Sequence, residues 1–224
     1  SQNTMAIDLY LAMGSPPCRA VLLIAAALNV DLNLLHLRLD AGEHLTPDFL
    51  KLNPQHTVPT IVDNGFSLWE SRTIGRYLAN KYGGETPLYP SDPRARAIVD
   101  QRLDFDLGTL YPKFSSYFYP QLFGGGAANP DLLIELEKAL NFFNTFLEGQ
   151  KYAAGSELTI ADLSLVASVS TIEASEVVNL KKYPNVVRWY DLVKSTAPKY
   201  EETNGEGVKA FKQFIKKFQP KHEL

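Results

Sequence analysis

Two hydrophobic periods alternate along the amino-terminal part of the chain. Residues 7–11 and 35–39 alternate apolar and polar side chains, a period of two that predicts strands. Between them, Ser15 stands where a helix N-cap is favoured, and Pro16 occupies the first helical position, which tolerates a residue without an N–H. The apolar face of this helix consists of Cys18, Val21, Leu22, Ala25 and Ala26. The stretch is therefore predicted to form a strand–helix–strand unit.

A second unit with the same two periods follows. A short helix is predicted at 46–53, and apolar runs at 60–62 and 66–68 flank Asn64-Gly65, a pair typical of a tight hairpin turn. A further helix is predicted at 70–82. This order of elements, βαβ followed by αββα, is typical of a thioredoxin-like unit.

A proline directly precedes the predicted strand at 60–62. Pro59 cannot donate a hydrogen bond to a strand ladder, so it belongs at a strand edge or in a turn. Such a turn suits a cis peptide bond between Val58 and Pro59. We therefore expect the backbone before Pro59 to face outward.

Helical patterns replace strand patterns in the rest of the chain. Prolines and small polar residues predict a linker at 84–92. One long amphipathic helix is predicted at 94–119, with a bend where Pro112 cannot donate to the carbonyl of Gly108.

Two further helix starts are marked by their capping residues. Asn129 is followed by Pro130, and Thr159 is followed three residues later by Asp162, a variant of the capping box.

The predicted fold class is α+β with two domains. A thioredoxin-like βαβ-ββα domain is expected at 1–83, with 1–4 as a tail outside the fold. The linker at 84–92 leads to an all-helical domain at 93–224.

Composition narrows the classes of function. The net charge of −3 argues against a nucleic-acid partner, which would require a basic face. No apolar run approaches the ~18 residues that span a membrane. A single cysteine and the lack of a signal-peptide pattern favour the cytoplasm. The histidines have no ligand spacing with cysteines or acids, so no metal site is expected.

The helix start at Ser15 carries the candidate chemistry. Ser15-Pro16-Pro17-Cys18 has the frame of a C-x-x-C redox motif in which serine replaces the attacking cysteine. A hydroxyl at a helix N-terminus can stabilise a thiolate that a co-substrate brings. The alternative is that Ser15 is only an N-cap. Cys18, on the apolar face, is expected to be an inert core thiol.

The chain resembles the cytosolic glutathione transferases, and most closely the insect delta class. Each matching motif is weak alone, but their shared order and spacing are specific. The motifs are Gly14-Ser15-Pro16-Pro17-Cys18-Arg19-Ala20, Gly42-Glu43-His44, Leu52-Asn53-Pro54-Gln55-His56-Thr57-Val58-Pro59-Thr60, Trp69-Glu70-Ser71-Arg72, Asp100-Gln101-Arg102-Leu103 and Thr159-Ile160-Ala161-Asp162-Leu163-Ser164. The resemblance implies a homodimeric enzyme that uses glutathione as co-substrate and small hydrophobic electrophiles as second substrates.

The resemblance also implies the roles of individual residues. Ser15 would hold the glutathione thiolate, and the backbone of Val58 would bind the cysteinyl part. Glu70 would pair with the amine of glutathione. Arg72 would be an ion partner for the same end of the ligand or for the neighbouring subunit. The full implied glutathione set is His44, His56, Thr57, Val58, Pro59, Glu70, Ser71 and Arg72.

The second substrate is expected to be apolar. Aromatic residues at helical spacing usually belong to a core, but the segment after 110 holds more of them than one face can bury. The implied pocket is Leu11, Met13, Tyr111, Phe114, Tyr119, Phe123 and Phe211. Two departures from the family concern this region: Pro112 changes the pocket helix, and Asp104 replaces an aromatic residue of the dimer contact.

Three functions follow from these observations. The favoured one is conjugation of glutathione to electrophiles. A non-catalytic carrier or structural protein on the same scaffold is the alternative, because fold does not determine function. A thiol–disulfide oxidoreductase is disfavoured because Ser15 occupies the position of the attacking cysteine.

Overall fold

The computed structural model describes residues 5–218 and contains one four-stranded sheet in the order β2-β1-β3-β4. The first two strands are parallel, and the other two neighbouring pairs are antiparallel. The strands are β1 (Ile7–Leu11), β2 (Leu32–His36), β3 (Thr60–Asp63) and β4 (Phe66–Trp69). The sheet therefore has the mixed topology expected for a thioredoxin-like unit.

The second strand lies earlier in the chain than its alternation predicts. The prediction at 35–39 was wrong, because β2 covers Leu32–His36. The cause is the length of the partner strand. β1 ends at Leu11, which pairs with His36. After a last backbone hydrogen bond from Leu37 to Leu11, the chain of β2 has no strand residue of β1 to pair with. Pairing, rather than the local alternation, sets the ends of this strand.

Three helices complete the amino-terminal domain. They are α1 (Pro16–Ala27), α2 (Pro47–Leu52) and α3 (Ser71–Tyr82). A core of fully buried aliphatic side chains joins the sheet to α1 and α3. Its members include Leu9, Val21, Ile61, Ile74 and Leu78.

Six α-helices form the carboxy-terminal part of the described chain. They are α4 (Pro93–Phe105), α5 (Tyr111–Gly124), α6 (Pro130–Phe146), α7 (Ile160–Ser175), α8 (Pro184–Thr196) and α9 (Glu206–Lys216). Within residues 5–218, no helix combines the length and the apolarity needed to cross a membrane.

The helix predicted at 94–119 is interrupted where proline was expected to disturb it. A π-helical turn at Asp106–Leu110 separates α4 from α5, and the N–H of Tyr111 bonds to the carbonyl of Asp106. Pro112 follows in the first turn of α5, where an N–H is not needed. The irregularity lies at the predicted place and takes the form of a π turn.

The helix α7 lies at the centre of the molecule. Almost all of its residues are buried, and it packs against α1, α4, α8 and α9. A helix that is buried on every side must find partners for its polar side chains inside the protein. These partners decide how the two domains meet.

The predicted capping acid of α7 is confirmed and has a larger role than capping. Asp162 is fully buried and accepts hydrogen bonds from the backbone N–H of Thr159 (2.9 Å) and of Ala153 (2.8 Å). It also accepts from Nε1 of Trp189 at 2.7 Å. One carboxylate thus joins the start of α7 to α8 and to the loop that precedes α7.

We expect Asp162→Ala to destabilise the protein by about 3 kcal/mol or more, because it leaves the buried donors of Ala153, Thr159 and Trp189 without their acceptor. Asp191→Ala is the matched control, since the Asp191 side chain is 66% exposed and its removal should cost less than about 1 kcal/mol. Denaturant unfolding of both variants measures the difference. Equal losses of stability would contradict this role of Asp162.

Candidate active site

The ends of two strands and the start of a third lie side by side at one edge of the sheet. Tyr10 pairs with Thr60, and Thr60 pairs with Trp69. The chain therefore leaves β1 toward Ser15, enters β3 from Val58 and leaves β4 toward Glu70 along the same edge. The register of the sheet gathers these three predicted site residues.

Ser15 caps α1, and its hydroxyl keeps a proton to donate. Its Oγ accepts a hydrogen bond from the backbone N–H of Cys18 at 3.5 Å. Capping uses only the oxygen as an acceptor, so the O–H of the half-buried side chain can still donate. The capping role and the proposed thiolate role are thus compatible.

The cysteine in this motif is an inert thiol, as expected. Cys18 is 1% exposed and belongs to the core of the amino-terminal domain. Burial raises the pKa of its thiol to about 11. A thiol of this kind stays protonated at neutral pH and cannot act as the nucleophile.

The loop before β3 is held by a buried asparagine, Asn53, which the sequence placed only at the end of the predicted helix and in a family motif. The Nδ2 group of Asn53 donates to the carbonyl of Thr57 and to Oγ1 of Thr60, both at 3.0 Å. The Val58–Pro59 peptide bond is cis. No described residue bonds to the backbone N–H or carbonyl of Val58, so both groups are available to a ligand.

Two histidines lie next to each other beside this loop. The ring centroids of His44 and His56 are 6.0 Å apart. Nδ1 of His44 is a buried nitrogen without a hydrogen-bond partner among the described residues. His56 has a φ of 48°, in the left-handed region that costs non-glycine residues about 1–3 kcal/mol.

Glu70 precedes α3 in a strained backbone conformation of the same kind. Its φ is 72°, and its exposed carboxylate forms no hydrogen bond or ion pair within residues 5–218. Ser71 begins α3 and is buried. Strained backbone conformations often occur at functional sites, where the surroundings impose them. Together with the free carboxylate of Glu70, this strain marks the helix start as a binding-site candidate.

The structure gives Arg72 an ionic partner inside the chain. Its guanidinium bonds to Oδ2 of the fully buried Asp106 through Nη2 at 2.8 Å and through Nε at 3.0 Å. Ser164 and Ser168 of α7 donate to the same carboxylate, each at 2.6 Å. Arg72 therefore fixes the start of α3 to the helical domain, and its assignment to glutathione stays a prediction.

Asp106 is not among the residues predicted from the sequence, although a signal for it was present. Asp106 lies three residues after Leu103 and four before Leu110, and both leucines are fully buried. An acid on an apolar helix face requires an internal partner. The serines of α7 gave a second signal, because Ser164 and Ser168 lie four residues apart on one face.

The predicted aromatic residues form a continuous row of ring contacts. Tyr111 contacts Phe114, Phe114 contacts Tyr119, and Tyr119 stacks on Phe123 with centroids 5.9 Å apart. Phe118, which was not among the predicted pocket residues, joins this row to Phe211 of α9. The row therefore connects α5 to α9.

Burial divides the predicted pocket residues into three groups. Leu11, Phe114 and Phe211 are buried in the cores, and Met13 and Phe123 are 62% and 60% exposed. Tyr111 and Tyr119 are half-buried. The exposed and half-buried members present surface to a ligand in this structure, and the buried Leu11 also lines a cavity.

A glycine brings the Ser15 loop against the aromatic row. Gly14 has a φ of 83°, and a Cβ added there would lie 3.2 Å from the backbone nitrogen of Phe211. Leu11 and Met13 line a cavity of about 110 Å³ beside this contact. The closeness of α9 to the loop thus depends on glycine at position 14.

Comparison with known proteins gives the same result for both halves of the chain. Residues 5–80 match the family model of the glutathione S-transferase N-terminal domain, and residues 101–196 match that of the C-terminal domain. The chain belongs to the glutathione S-transferase family.

Solved structures of insect enzymes are similar over nearly the whole chain. A delta-class glutathione transferase of Nilaparvata lugens shares 54% identity, with 95% of this chain and 100% of that chain covered and a TM-score of 0.93. The Bombyx mori glutathione transferase BmGSTD1 shares 43% identity over 94% and 98%, with a TM-score of 0.90. An epsilon-class enzyme of Musca domestica shares 37% identity over 95% and 98%, with a TM-score of 0.88.

These similarities confirm the predicted family, delta-class character and fold class, and with them glutathione transferase function. This glutathione S-transferase uses glutathione as co-substrate, and the carrier alternative is not favoured. The matched N-terminal model covers every segment that carries a predicted glutathione residue, from Ser15 to Arg72. The proposed linker at 84–92 lies between the two matched ranges.

We expect Arg72→Met to destabilise the enzyme by about 3–5 kcal/mol, because it leaves the Asp106 carboxylate buried without a counter-ion. Adding Asp106→Asn should recover part of the loss, since it removes that charge. Arg76→Met is the control on the same helix. Because Arg76 pairs with the partly exposed Asp100 and Asp104, this substitution should lower the free energy of unfolding by only about 1 kcal/mol. Additive losses in a double-mutant cycle would show that the two residues do not act as a pair.

Proposed function

We propose that this enzyme conjugates the thiolate of glutathione to small apolar electrophiles and that Ser15 stabilises this thiolate. The observation that carries the proposal is the sheet register, which gathers Ser15, Val58 and Glu70 at one edge. Glutathione has a thiol in its centre and ionic groups at its ends, and these three positions suit the centre and one end.

The groups at this edge complement glutathione along its length. The free carboxylate of Glu70 suits the amine, and the N–H groups at the start of α3, beside Ser71, suit the γ-glutamyl carboxylate. The free backbone of Val58, between Thr57 and Pro59, suits the cysteinyl backbone as a short added strand. His44 and His56 suit the glycyl carboxylate.

The required stabilisation of the thiolate has the size that Ser15 and its helix can supply. A free thiol has a pKa near ~8.5, and lowering it by two units requires about 2.7 kcal/mol. A helix N-terminus supplies about 0.3–1 kcal/mol, and a hydrogen bond to a charged group about 1.5–3 kcal/mol. Together they span the required value, so Ser15 can hold the nucleophile without being it.

The electrophile is proposed to bind against the aromatic row next to the Ser15 loop. Tyr111 and Tyr119 are half-buried, and their hydroxyls lie 3.4 Å apart. Burial raises the pKa of both phenols, so both remain neutral at physiological pH. A neutral, aromatic wall favours apolar substrates.

We further propose a cytoplasmic homodimer. Exposed apolar side chains, including Phe66, Ile98 and Leu107, are the kind of surface that a second subunit covers. Asp104, which departs from the family, pairs with Arg76 in its own chain at 2.6 Å. This intrachain ion pair occupies the position at which the resemblance implies an aromatic residue of the dimer contact.

Removal of the side chains at the proposed γ-glutamyl end tests the binding site. Glu70→Ala and Ser71→Ala should each weaken glutathione affinity about ten-fold or more, the cost of ~1.5–3 kcal/mol for a hydrogen bond to a charged group. Affinity for the electrophile should change little. Alanine keeps the strained φ of residue 70, so the effect reports the carboxylate alone.

Asp48→Ala is the control for the loss of a negative charge, because the Asp48 side chain is 95% exposed. Glutathione saturation curves for the three variants give the comparison. Wild-type saturation in both Glu70→Ala and Ser71→Ala would remove this helix start from the proposed site.

Replacement of Ser15 tests the mechanism. Ser15→Ala should retain glutathione binding, because the ends of the ligand hold it. The pKa of the bound thiol should rise by about one to two units as a hydrogen bond of ~1.5–3 kcal/mol is lost. Conjugation of an aryl halide should therefore fall at neutral pH and recover at high pH. An unchanged pH–rate profile would leave Ser15 as a cap only.

Ser15→Cys sharpens this test. It rebuilds C-x-x-C at a helix N-terminus, where the pKa of a cysteine falls. The new thiolate should repel the glutathione thiolate or form a mixed disulfide with it. We expect conjugation to fall and disulfide exchange with glutathione to appear. Tight binding of apolar dyes by the wild-type protein without any turnover would instead support the carrier function.

A further inference from the structure

Two arginines of the amino-terminal domain are buried against α7, and only one of them is neutralised. Arg72 forms its ion pair with Asp106. Arg19 is 2% exposed, and within residues 5–218 no carboxylate oxygen lies within the 4.0 Å of an ion pair with it. The chain thus contains a buried positive charge without a counter-ion beside the start of α1.

Neutral groups satisfy the hydrogen bonds of Arg19. Its Nη1 donates to Oδ1 of Asn204 at 2.6 Å and to Oγ of Ser170 at 3.0 Å, and its Nη2 donates to Oγ1 of Thr171. These partners solvate the guanidinium but do not neutralise it. Burial lowers the pKa of Arg19 to about 10, so the side chain keeps its charge at neutral pH.

The charge lies close to the segment that carries Ser15. Arg19 follows Ser15 by one helical turn, and its backbone N–H bonds to the carbonyl of Ser15 at 3.0 Å. Its Nε donates to the carbonyl of Gly14 at 3.4 Å. The same side chain therefore holds the Ser15 loop and places a positive charge behind it.

The field of this charge reaches Cys18 in the amino-terminal core and Tyr119 in the aromatic row. Burial raises the pKa of Cys18 and of Tyr119, and the charge of Arg19 opposes the rise in each case. Four tyrosines interact with the charge of Arg19, and burial raises the pKa of each phenol so that it stays neutral. They are Tyr111, Tyr119, Tyr190 and Tyr200.

The other titratable residues that line the cavity of about 110 Å³ beside Arg19 and Cys18 are His36, Glu202 and Glu206. All three are exposed, so water screens their charges. Glu206 also pairs with Lys209 at 3.0 Å. None of them replaces a buried counter-ion.

We propose that Arg19 is a positioning residue whose buried, uncompensated positive charge favours the thiolate form of glutathione at Ser15. This proposal rests on the proposed function and deepens it. Docking the domains requires only hydrogen bonds, which the neutral partners already supply. The uncancelled charge adds an attraction for an anion at the start of α1, where the thiolate forms.

Asn204→Asp tests the charge without removing Arg19. The variant places a carboxylate where the Asn204 amide oxygen now accepts from Nη1, and it supplies the missing counter-ion. The hydroxyls of Ser170 and Tyr200, which now accept from the amide of Asn204, can rotate and donate to the new carboxylate. The fold should therefore be at least as stable as that of the wild type.

The pKa of bound glutathione, followed by the ultraviolet absorbance of its thiolate, should rise by about one unit. This is the effect of cancelling one charge on the order of 10 Å from the thiol at an effective dielectric constant of about 20. Conjugation should fall about ten-fold at neutral pH and match the wild type at high pH. Asn141→Asp, an exposed change on α6 with the same net charge, should have the wild-type thiol pKa.

Arg19→Gln should raise the thiol pKa in the same direction, and Asn204→Asp decides the question if the glutamine variant fails to fold. A thiol pKa in Asn204→Asp equal to that in Asn141→Asp would overturn the role of Arg19 while leaving the proposed function intact. A wild-type protein that binds glutathione without lowering its thiol pKa would overturn both.

Discussion

The buried hydroxyl side chains of α7 determine how the rest of the site is arranged. They are Ser164, Ser168, Ser170 and Thr171. Burying a guanidinium costs free energy unless its N–H donors find acceptors. Arg19 and Arg72 find theirs only when the domains pack so that the two side chains reach the Ser and Thr side chains of α7 and Asp106. Because Arg19 belongs to α1 and Arg72 to α3, this docking also fixes the helix starts that carry Ser15 and Ser71. The hydrogen bonds of these two side chains thus set the geometry between the two domains.

The site is built on backbone strain that the surroundings impose. His56 and Glu70 both have a positive φ, a conformation that costs free energy for residues with a Cβ. Asn53 clamps the loop that follows His56, and the pairing of Trp69 with Thr60 fixes the chain before Glu70. The hydrogen bonds of Asn53 and the pairing of Thr60 with Trp69 therefore hold the proposed glutathione residues in place before a ligand arrives.

The protein separates thiol chemistry from its own cysteine. Burial raises the pKa of the Cys18 thiol, whereas the N-terminus of the same helix lies open to a thiol from solution at Ser15. A core thiol in this state neither competes with a bound glutathione nor forms a disulfide with it. In the proposed mechanism, the hydroxyl of Ser15 at the position of the attacking cysteine holds an external nucleophile instead of being one.

Local patterns in the sequence determined the element order, the caps at Ser15 and Asp162, the irregularity near Pro112 and, through motif spacing, the family and the candidate glutathione residues. These depend on residues within a few positions of one another. The ends of β2, the partner of Arg72 and the surroundings of Arg19 were decided only by the tertiary structure. Arg72 and Asp106 are 34 residues apart, and Arg19 and Asn204 are 185 apart. A buried charge selects its partners by distance in space after the domains have packed, and no local period records that choice.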